Sequence, residues 1–368
     1  MRPDTDDYLS LFLNDVPLMD VRAPVEFNKG AFPSARNVPL LDDIQRAKVG
    51  TRYKEQGQDA AIELGWQLAT KKVRAQRLED WSAFTHDNPE GYLYCFRGGL
   101  RSRTTQKMLR EAGVDYPLVI GGYKAMRTCL LEQLERLTEK LSFIVIAGST
   151  GSGKTDLLRH RRRAVCLESL ANHRGSAFGR NLAPQPSQIS FENALSIALL
   201  KLEQLGEGPI FVEDESHLIG RCALPTNFLH KLKASPTVLV DEPPGRRAQR
   251  IVRDYVTDRL PEYVEYFGEE ARPRMIEDLR GNLGRIKRRL GGLRYRELDE
   301  QLEAAGTVFC SDGTADGIVP VVEVLLSGYY DGMYGYQLEQ QQGKRLFRGD
   351  WRQVADWLAE QEGSESKR

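Results

Sequence analysis

Gly148-Ser149-Thr150-Gly151-Ser152-Gly153-Lys154-Thr155 is a complete Walker A loop, built from the residue types that hold a polyphosphate. Its glycines let successive backbone N–H groups close around oxyanions. Lys154 has the reach and charge for an outer phosphate, and the Thr155 hydroxyl suits Mg²⁺. Gly148, Gly151, Ser152, Gly153, Lys154 and Thr155 are therefore the candidate diphosphate ligands. A second anion-holding loop lies upstream, Cys95-Phe96-Arg97-Gly98-Gly99-Leu100-Arg101-Ser102. A cysteine at a strand end, ahead of glycines and a helix, sits among N–H donors. With guanidinium groups such as Arg97 and Arg101 nearby, such surroundings favour thiolate over thiol. The same cradle would hold a tetrahedral oxyanion or a persulfide-like anion, and a buried core cysteine is the plain alternative.

Other candidates stand around these loops. Ile210-Phe211-Val212-Glu213-Asp214-Glu215 reads as an apolar strand ending in carboxylates, where Asp214 or Glu215 would orient Mg²⁺-bound water or act as acid or base. His173, in the stretch with Glu168 and Arg174, is an acid/base candidate, with a structural histidine as its equal rival. Basic groups fall at Arg159 to Arg163, at Arg246, Arg250 and Arg253 (i, i+4, i+7, one helical face), and at Arg285 to Arg296. Each alone is commonly a solvated face. Together with Arg174 they supply candidate phosphate contacts.

The elements that must position these residues are α/β in both halves. Short apolar runs predict strands at Val16–Val21, Gly91–Cys95 and Leu118–Ile120, each near a helical pattern. The stretch Ala125–Leu141 predicts a connecting helix. Strands follow at Phe143–Ala147, Ala164–Leu167, Ile210–Glu213, Thr237–Asp241 and Thr307–Cys310, with segments between them long enough for crossovers and hence a largely parallel sheet. Arg280 to Arg296 reads as helical until Gly291-Gly292, a Gln-rich patch spans Gln337 to Gln342, and a short helix carries Trp351 and Trp357. The last six residues, Gly363 to Arg368, read as disordered. The expected division is 1–125, a connecting helix 126–141, a phosphate-loop domain 142–335, and a C-terminal helix and tail 336–368.

Composition sets the outer bounds. With 368 residues the chain has room for two cores. Its 52 basic and 52 acidic side chains cancel, which argues against indiscriminate polyanion binding and leaves room for a local basic groove. Five scattered cysteines without a C-x-x-C pair point to reduced thiols rather than a zinc ribbon or disulfide framework, as in a cytoplasmic protein. The acidic start reads as no signal peptide, and no apolar stretch approaches the roughly 20 residues of a membrane helix.

The first part resembles a rhodanese domain. Asp20-Val21-Arg22, Glu26-Phe27, Gly30 to Ala35 and Asn37-Val38-Pro39 look like its N-terminal signature, and Val119-Ile120-Gly121-Gly122-Tyr123 looks like its closing motif. Phe32 after Ala31 departs from the common His-Ile after Gly, and Asp20 with Arg22 reads as a structural pair. A rhodanese-like domain followed by a Walker A domain is a rare pairing, and the whole chain is similar to the bacterial tRNA 2-selenouridine synthase family. Val49 to Lys54, Ala61 to Gly65, Leu170 to Gly179 and Tyr329-Tyr330-Asp331 support this over about residues 5–340, with Ser169 for Gly and Gly332 for Pro as departures.

The resemblance implies a cytoplasmic tRNA-modifying transferase acting at C2 of wobble 2-thiouridine. Its co-substrates are geranyl diphosphate, which alkylates the sulfur, and selenophosphate, whose selenium then replaces the geranylthio group. It implies tRNA as partner, a supply of selenophosphate, no prosthetic group and no membrane. On this reading the Walker loop holds the diphosphate, although the loop itself does not distinguish geranyl diphosphate from ATP or GTP. Cys95 carries or positions selenium, or attacks the base, with Arg97 and Arg101 stabilising the anion. Phe178 is an aromatic candidate for stacking on the base. Three rivals stay open: an ATP-dependent rhodanese-type tRNA sulfurtransferase, a phosphatase using the Cys95-x5-Arg101 spacing, and a nucleotide-gated tRNA-binding scaffold.

Overall fold

The structure is a computed structural model and describes residues 2–176, 178–332, 334–335 and 342–365. It divides into two compact units, residues 1–137 with 187–201 and residues 138–186 with 202–368.

In the first unit β1 (Leu18–Asp20), β2 (Ala35–Asn37) and β3 (Tyr92–Tyr94) form a parallel sheet in the order β2-β1-β3. Leu118–Ile120, expected as a strand, contributes only isolated parallel bridges, Leu118 to Leu93 and Val119 to Thr5. The reason is local: Pro117 lacks a donor on one side, and on the other Gly121 (φ 76°) and Gly122 (φ 57°) turn the chain. The helix Asp43–Leu68 starts at a reciprocal cap, in which Asp42 accepts from Gln45 N and Gln45 accepts from Asp42 N, and it is broken at Gly57. The helix Lys71–Asp87 buries Trp81, whose indole N–H donates to Val38 O at 3.0 Å, among Met19, Phe84, Leu93 and Leu109. The connecting helix runs from Gly122 to Lys140. Residues 187–201, most of the helix Gln188–Gln204, pack on this unit: Ser196 Oγ donates to Leu130 O (2.7 Å) and Asn193 Nδ2 to Ala31 O (2.9 Å).

In the second unit β4 (Phe143–Ala147), β5 (Ala164–Val165), β6 (Ile210–Glu213), β7 (Thr237–Val240) and β8 (Arg345–Gly349) form one all-parallel sheet in the order β8-β7-β4-β6-β5. Every residue of the apolar β4 is buried, as a strand covered on both faces requires. The chain leaves β4 for β5 on one side and returns to β7 on the other, so the carboxyl end of β4 is the switch point where such sheets bind ligands.

The sequence reading differs from the structure of this unit at two further places. Thr307–Cys310 is not a strand but the end of the helix Gly292–Asp312, where Leu298, Leu302, Ala305 and Phe309 bury one face at helical spacing. The edge strand β8 was not expected, because Arg345-Leu346-Phe347-Arg348-Gly349 is mostly exposed and carries the charges of a protected edge.

A helical bundle completes the unit: Pro244–Val252, Leu260–Phe267, Ala271–Leu290, Gly292–Asp312 and Val319–Leu325 share one apolar core. Gly291, at φ 85°, separates the two longest of these helices where the sequence placed the break. The C-terminal helix spans Trp351–Glu365, so Gly363–Glu365 continue it rather than forming a disordered tail, and Ser366–Arg368 lie outside the described residues. Most of the Gln-rich patch, Gln337 to Gln341, also lies outside them. No helix among the described residues is long and apolar enough to cross a membrane.

Candidate active site

The Walker loop leaves the carboxyl end of β4 and enters the helix Lys154–Arg159. Four side-chain donors hold its carbonyls. Lys154 Nζ donates to Gly148 O (2.7 Å), Arg247 Nη1 to Thr150 O (3.2 Å), Arg250 Nη1 to Gly151 O (2.9 Å) and Trp351 Nε1 to Gly153 O (3.1 Å). These contacts fix the loop backbone, within which Ser152 N also donates to Ser149 O (3.0 Å). Gly151 (φ 81°) and Gly153 (φ 86°) are left-handed. A Cβ at Gly153 would lie 2.8 Å from the Trp351 ring and 2.9 Å from Arg250 Nε. Ser152 is buried with its hydroxyl against Gly148.

Carboxylates gather beside the loop. Thr155 Oγ1 donates to Glu168 Oε2 at 2.8 Å, Gly175 N donates to the other Glu168 oxygen, and Glu168 N donates to Glu213 Oε1 at 2.8 Å. Burial, with Glu168's charge adding to it, pushes the Glu213 carboxyl up to about 7. The same two causes push Glu215 well above the usual carboxylate range, against the pull of Lys154. Asp214 N donates to Ile146 O (2.9 Å), which fixes the end of β6 against β4. Asp214 and Glu215 line a polar, solvent-open pocket with the loop, Arg159, Arg174, Ser176 and Tyr255. The pocket has about 850 Å³ of atom-free space, its mouth included.

The arginines separate by role. Arg250 grips the loop, and Arg253 pairs with Asp156 of the loop's helix at 2.8 Å. Arg246 is exposed, away from the pocket lining. The loop's deeper anchor is Arg247, one position off the expected face, buried and bidentate to Asp331 (2.8 and 2.7 Å). Arg174 lines the phosphate pocket, stacked over Tyr255 at 4.9 Å and 3.5 Å from Asp254. In the Arg159–Arg163 run, Arg161 and Arg163 are committed to the fold, donating to Ala355 O (3.0 Å) and Gly208 O (2.9 Å). His173 does not line the phosphate pocket. It borders a neighbouring polar cleft with Arg180, Arg221 and Arg285, and burial lowers its pKa. Phe178 is half-buried against the bundle core.

Sequence reasoning missed Arg247 and Trp351 and named Glu168 only as part of a stretch. Adjacent arginines on a helix look alike until one is buried, and no local pattern joins Trp351 to a loop almost 200 residues upstream. A hydroxyl-bearing loop residue facing a carboxylate after the next strand was the one available signal for Glu168.

In the first unit Cys95 is buried at the end of β3, and its loop lies against the Gly121-Gly122 turn. Tyr123 N donates to Cys95 O (2.8 Å) and Lys124 N to Phe96 O (2.9 Å). A Cβ on Gly122 would stand 2.3 Å from Cys95 O, so the glycine pair permits the contact. Arg97 is exposed beside this loop. Arg101 instead forms a forked ion pair with Glu26, at 2.5 and 3.2 Å. Asp20 and Arg22 form the expected structural pair, buried and forked at 3.0 and 2.6 Å, with Arg22 also donating to Gly30 O and lying 3.8 Å over the Tyr123 ring.

Comparison with known proteins adds identity to this geometry. Residues 5–129 match the rhodanese-like domain family, and residues 141–365 match the family described as the tRNA 2-selenouridine synthase AAA domain. Proteins named tRNA 2-selenouridine synthase are similar along nearly the whole chain. The one from Marinobacter nauticus is 51% identical over 357 residues, covering 97% of both chains. That from Hahella chejuensis is 49% identical, covering 97% of this chain and 94% of its own, and that from Alcanivorax borkumensis is 48% identical, covering 97% and 99%. With a rhodanese-like unit carrying Cys95, a parallel-sheet phosphate-loop unit and full-length relatives at about half identity, the chain belongs to the tRNA 2-selenouridine synthase family.

Proposed function

We propose that the enzyme converts wobble 2-thiouridine of tRNA to 2-selenouridine in two transfers, one served by each loop. The observation that carries this reading is the Walker loop, whose carbonyls are held in place by Lys154, Arg247, Arg250 and Trp351. Such a loop stabilises the charge that grows on a departing pyrophosphate without reorganising at that moment. In the first transfer the base sulfur attacks C1 of geranyl diphosphate. The S–C1 bond forms, the C1–O bond breaks, pyrophosphate leaves, and the N3 proton of the base is lost to solvent or a carboxylate. In the second, selenium of selenophosphate attacks C2, the geranylthio group leaves as the thiol after gaining a proton, and water cleaves the Se–P bond to release phosphate.

Cys95, buried at a strand end with exposed Arg97 beside it, is the group that positions selenophosphate for this attack. Arg101, held by Glu26, positions the loop that carries Cys95. Glu215, pushed up by burial in the phosphate pocket, is the proton-exchanging candidate there. Arg174 lines the same pocket and is the candidate contact for a substrate phosphate. The hard oxygens at the loop fit Mg²⁺, with the Thr155 hydroxyl and the diphosphate as ligands. When bound, it would neutralise charge on the leaving pyrophosphate.

The test is mass spectrometry of 2-thiouridine tRNA incubated with purified protein, geranyl diphosphate and selenophosphate. Cys95→Ala is expected to accumulate S-geranylated tRNA without selenium, and Lys154→Ala to form neither adduct. Sulfur or selenium transfer that requires ATP and ignores geranyl diphosphate would overturn the reading in favour of a nucleotide-activated transferase.

A further inference from the structure

The polar pocket at the Walker loop shares a wall with a second cavity, inside the helical bundle of the same unit. Thr150, Ser176, Ile251 and Tyr255 line both. Beyond that wall the accessible lining is apolar, from Phe178, Leu279, Leu283, Leu302, Val322 and Leu325 among others, around about 620 Å³ of atom-free space including its opening. Of the shared hydroxyls, those of Ser176 and Tyr255 bond each other at 3.0 Å. The cavity interior is larger than the single-water voids that a close-packed bundle leaves.

The local backbone is equally unusual. Two π-helical turns, Arg253–Thr257 and Leu326–Tyr330, border the cavity and contribute Tyr255, Val256, Leu326 and Tyr330 to its wall. Turns of this kind are rare and concentrate at functional sites.

We propose that this cavity is the subsite for the isoprenoid tail of a prenyl diphosphate whose head is held by the Walker loop. The identity of the tail as geranyl rests on the function proposed above. The head-to-tail arrangement rests on the shared wall. A nucleotide placed the same way would set ring nitrogens and sugar hydroxyls against a wall that cannot pair them, whereas a branched hydrocarbon chain gives up nothing by entering. The cavity thus supplies the selectivity that the loop, common to nucleotide and prenyl ligands, lacks. Phe178 acts in this wall, and not as a platform for the base.

Titration calorimetry on the full-length protein, with geranyl diphosphate and inorganic pyrophosphate as probes, tests the subsite. Two variants at half-buried wall positions, Val322→Phe and Leu279→Trp, fill the cavity from different helices. Wild-type protein is expected to bind geranyl diphosphate at least about tenfold more tightly than pyrophosphate, and each variant to lose about tenfold for geranyl diphosphate while holding pyrophosphate within about twofold. Equal wild-type affinities, or a geranyl-to-pyrophosphate ratio unchanged in both variants, overturns the subsite. If tRNA geranylation continues in those variants, the subsite alone falls. If wild-type protein binds ATP or GTP and not geranyl diphosphate, the proposed function falls with it.

Discussion

Glu213 shows how one side chain couples the site to the stability of the fold. It is fully buried at the end of β6, holds the backbone of Glu168, and is pushed up to about 7 by burial and by Glu168's charge. Below the ordinary glutamate value both folded and unfolded chains keep the proton, and the group has no pH effect. From about 4.5 to about 7 the unfolded chain ionises first, so stability falls as pH rises through that window and stays lower above it. The full effect is on the order of 3 kcal/mol. Glu213→Gln keeps an acceptor for the Glu168 N–H and is expected to flatten this slope in urea unfolding measured from pH 4.5 to 8. Parallel curves for the two proteins would show that Glu213 does not carry it. At this scale the sequence named Lys154, Thr155, Asp214 and Glu215 as neighbours, because motif spacing survives folding. It did not separate Arg247 from Arg246, since burial and not residue type distinguishes them.

Between elements, the helix Pro244–Val252 works as a clamp on the Walker loop. It sends Arg247 and Arg250 to successive loop carbonyls, while Ile251 closes on Gly151. Arg247→Ala would free the Thr150 carbonyl and leave Asp331 without its fork. The expected cost is about 2–3 kcal/mol in denaturant unfolding, together with at least about tenfold weaker pyrophosphate binding. Arg250→Ala, which loses the hydrogen bond to Gly151 and the 3.8 Å ion pair to the buried Glu242 carboxylate, is expected to cost about 2–3 kcal/mol as well. Unchanged pyrophosphate affinity in Arg247→Ala would show that the loop keeps its shape without the clamp. The elements most legible in the sequence were β4, β6 and β7, whose buried apolar runs are bounded by turn residues or acids. Thr307–Cys310 misled because four residues rich in β-formers carry no helical period of their own; that period appears only over Leu298 to Phe309.

For the molecule as a whole, the path of the chain is the main discovery. Residues 187–201 lie beyond the Walker loop in sequence yet pack with the first unit, where Arg127 pairs with Glu192 and Asn193 and Ser190 Oγ accepts from Ala31 N. A fragment of residues 1–140 therefore lacks one of its own packing faces. It is expected to melt at lower temperature than the same fragment with residues 187–201 joined by a flexible linker, as read by circular dichroism; equal melting would show that the helix adds nothing to that unit. The sequence by itself determined the two chemical loops, the α/β class of both halves and the parallel second sheet, because each is written in short-range patterns of glycine, charge and apolar period. Tertiary structure alone decided which arginine grips the loop, that Trp351 reaches Gly153, that an edge strand comes from the C-terminal region and that an apolar cavity adjoins the phosphate pocket. Those features join residues far apart in the chain, and their energies come from burial and close packing, which no local pattern records.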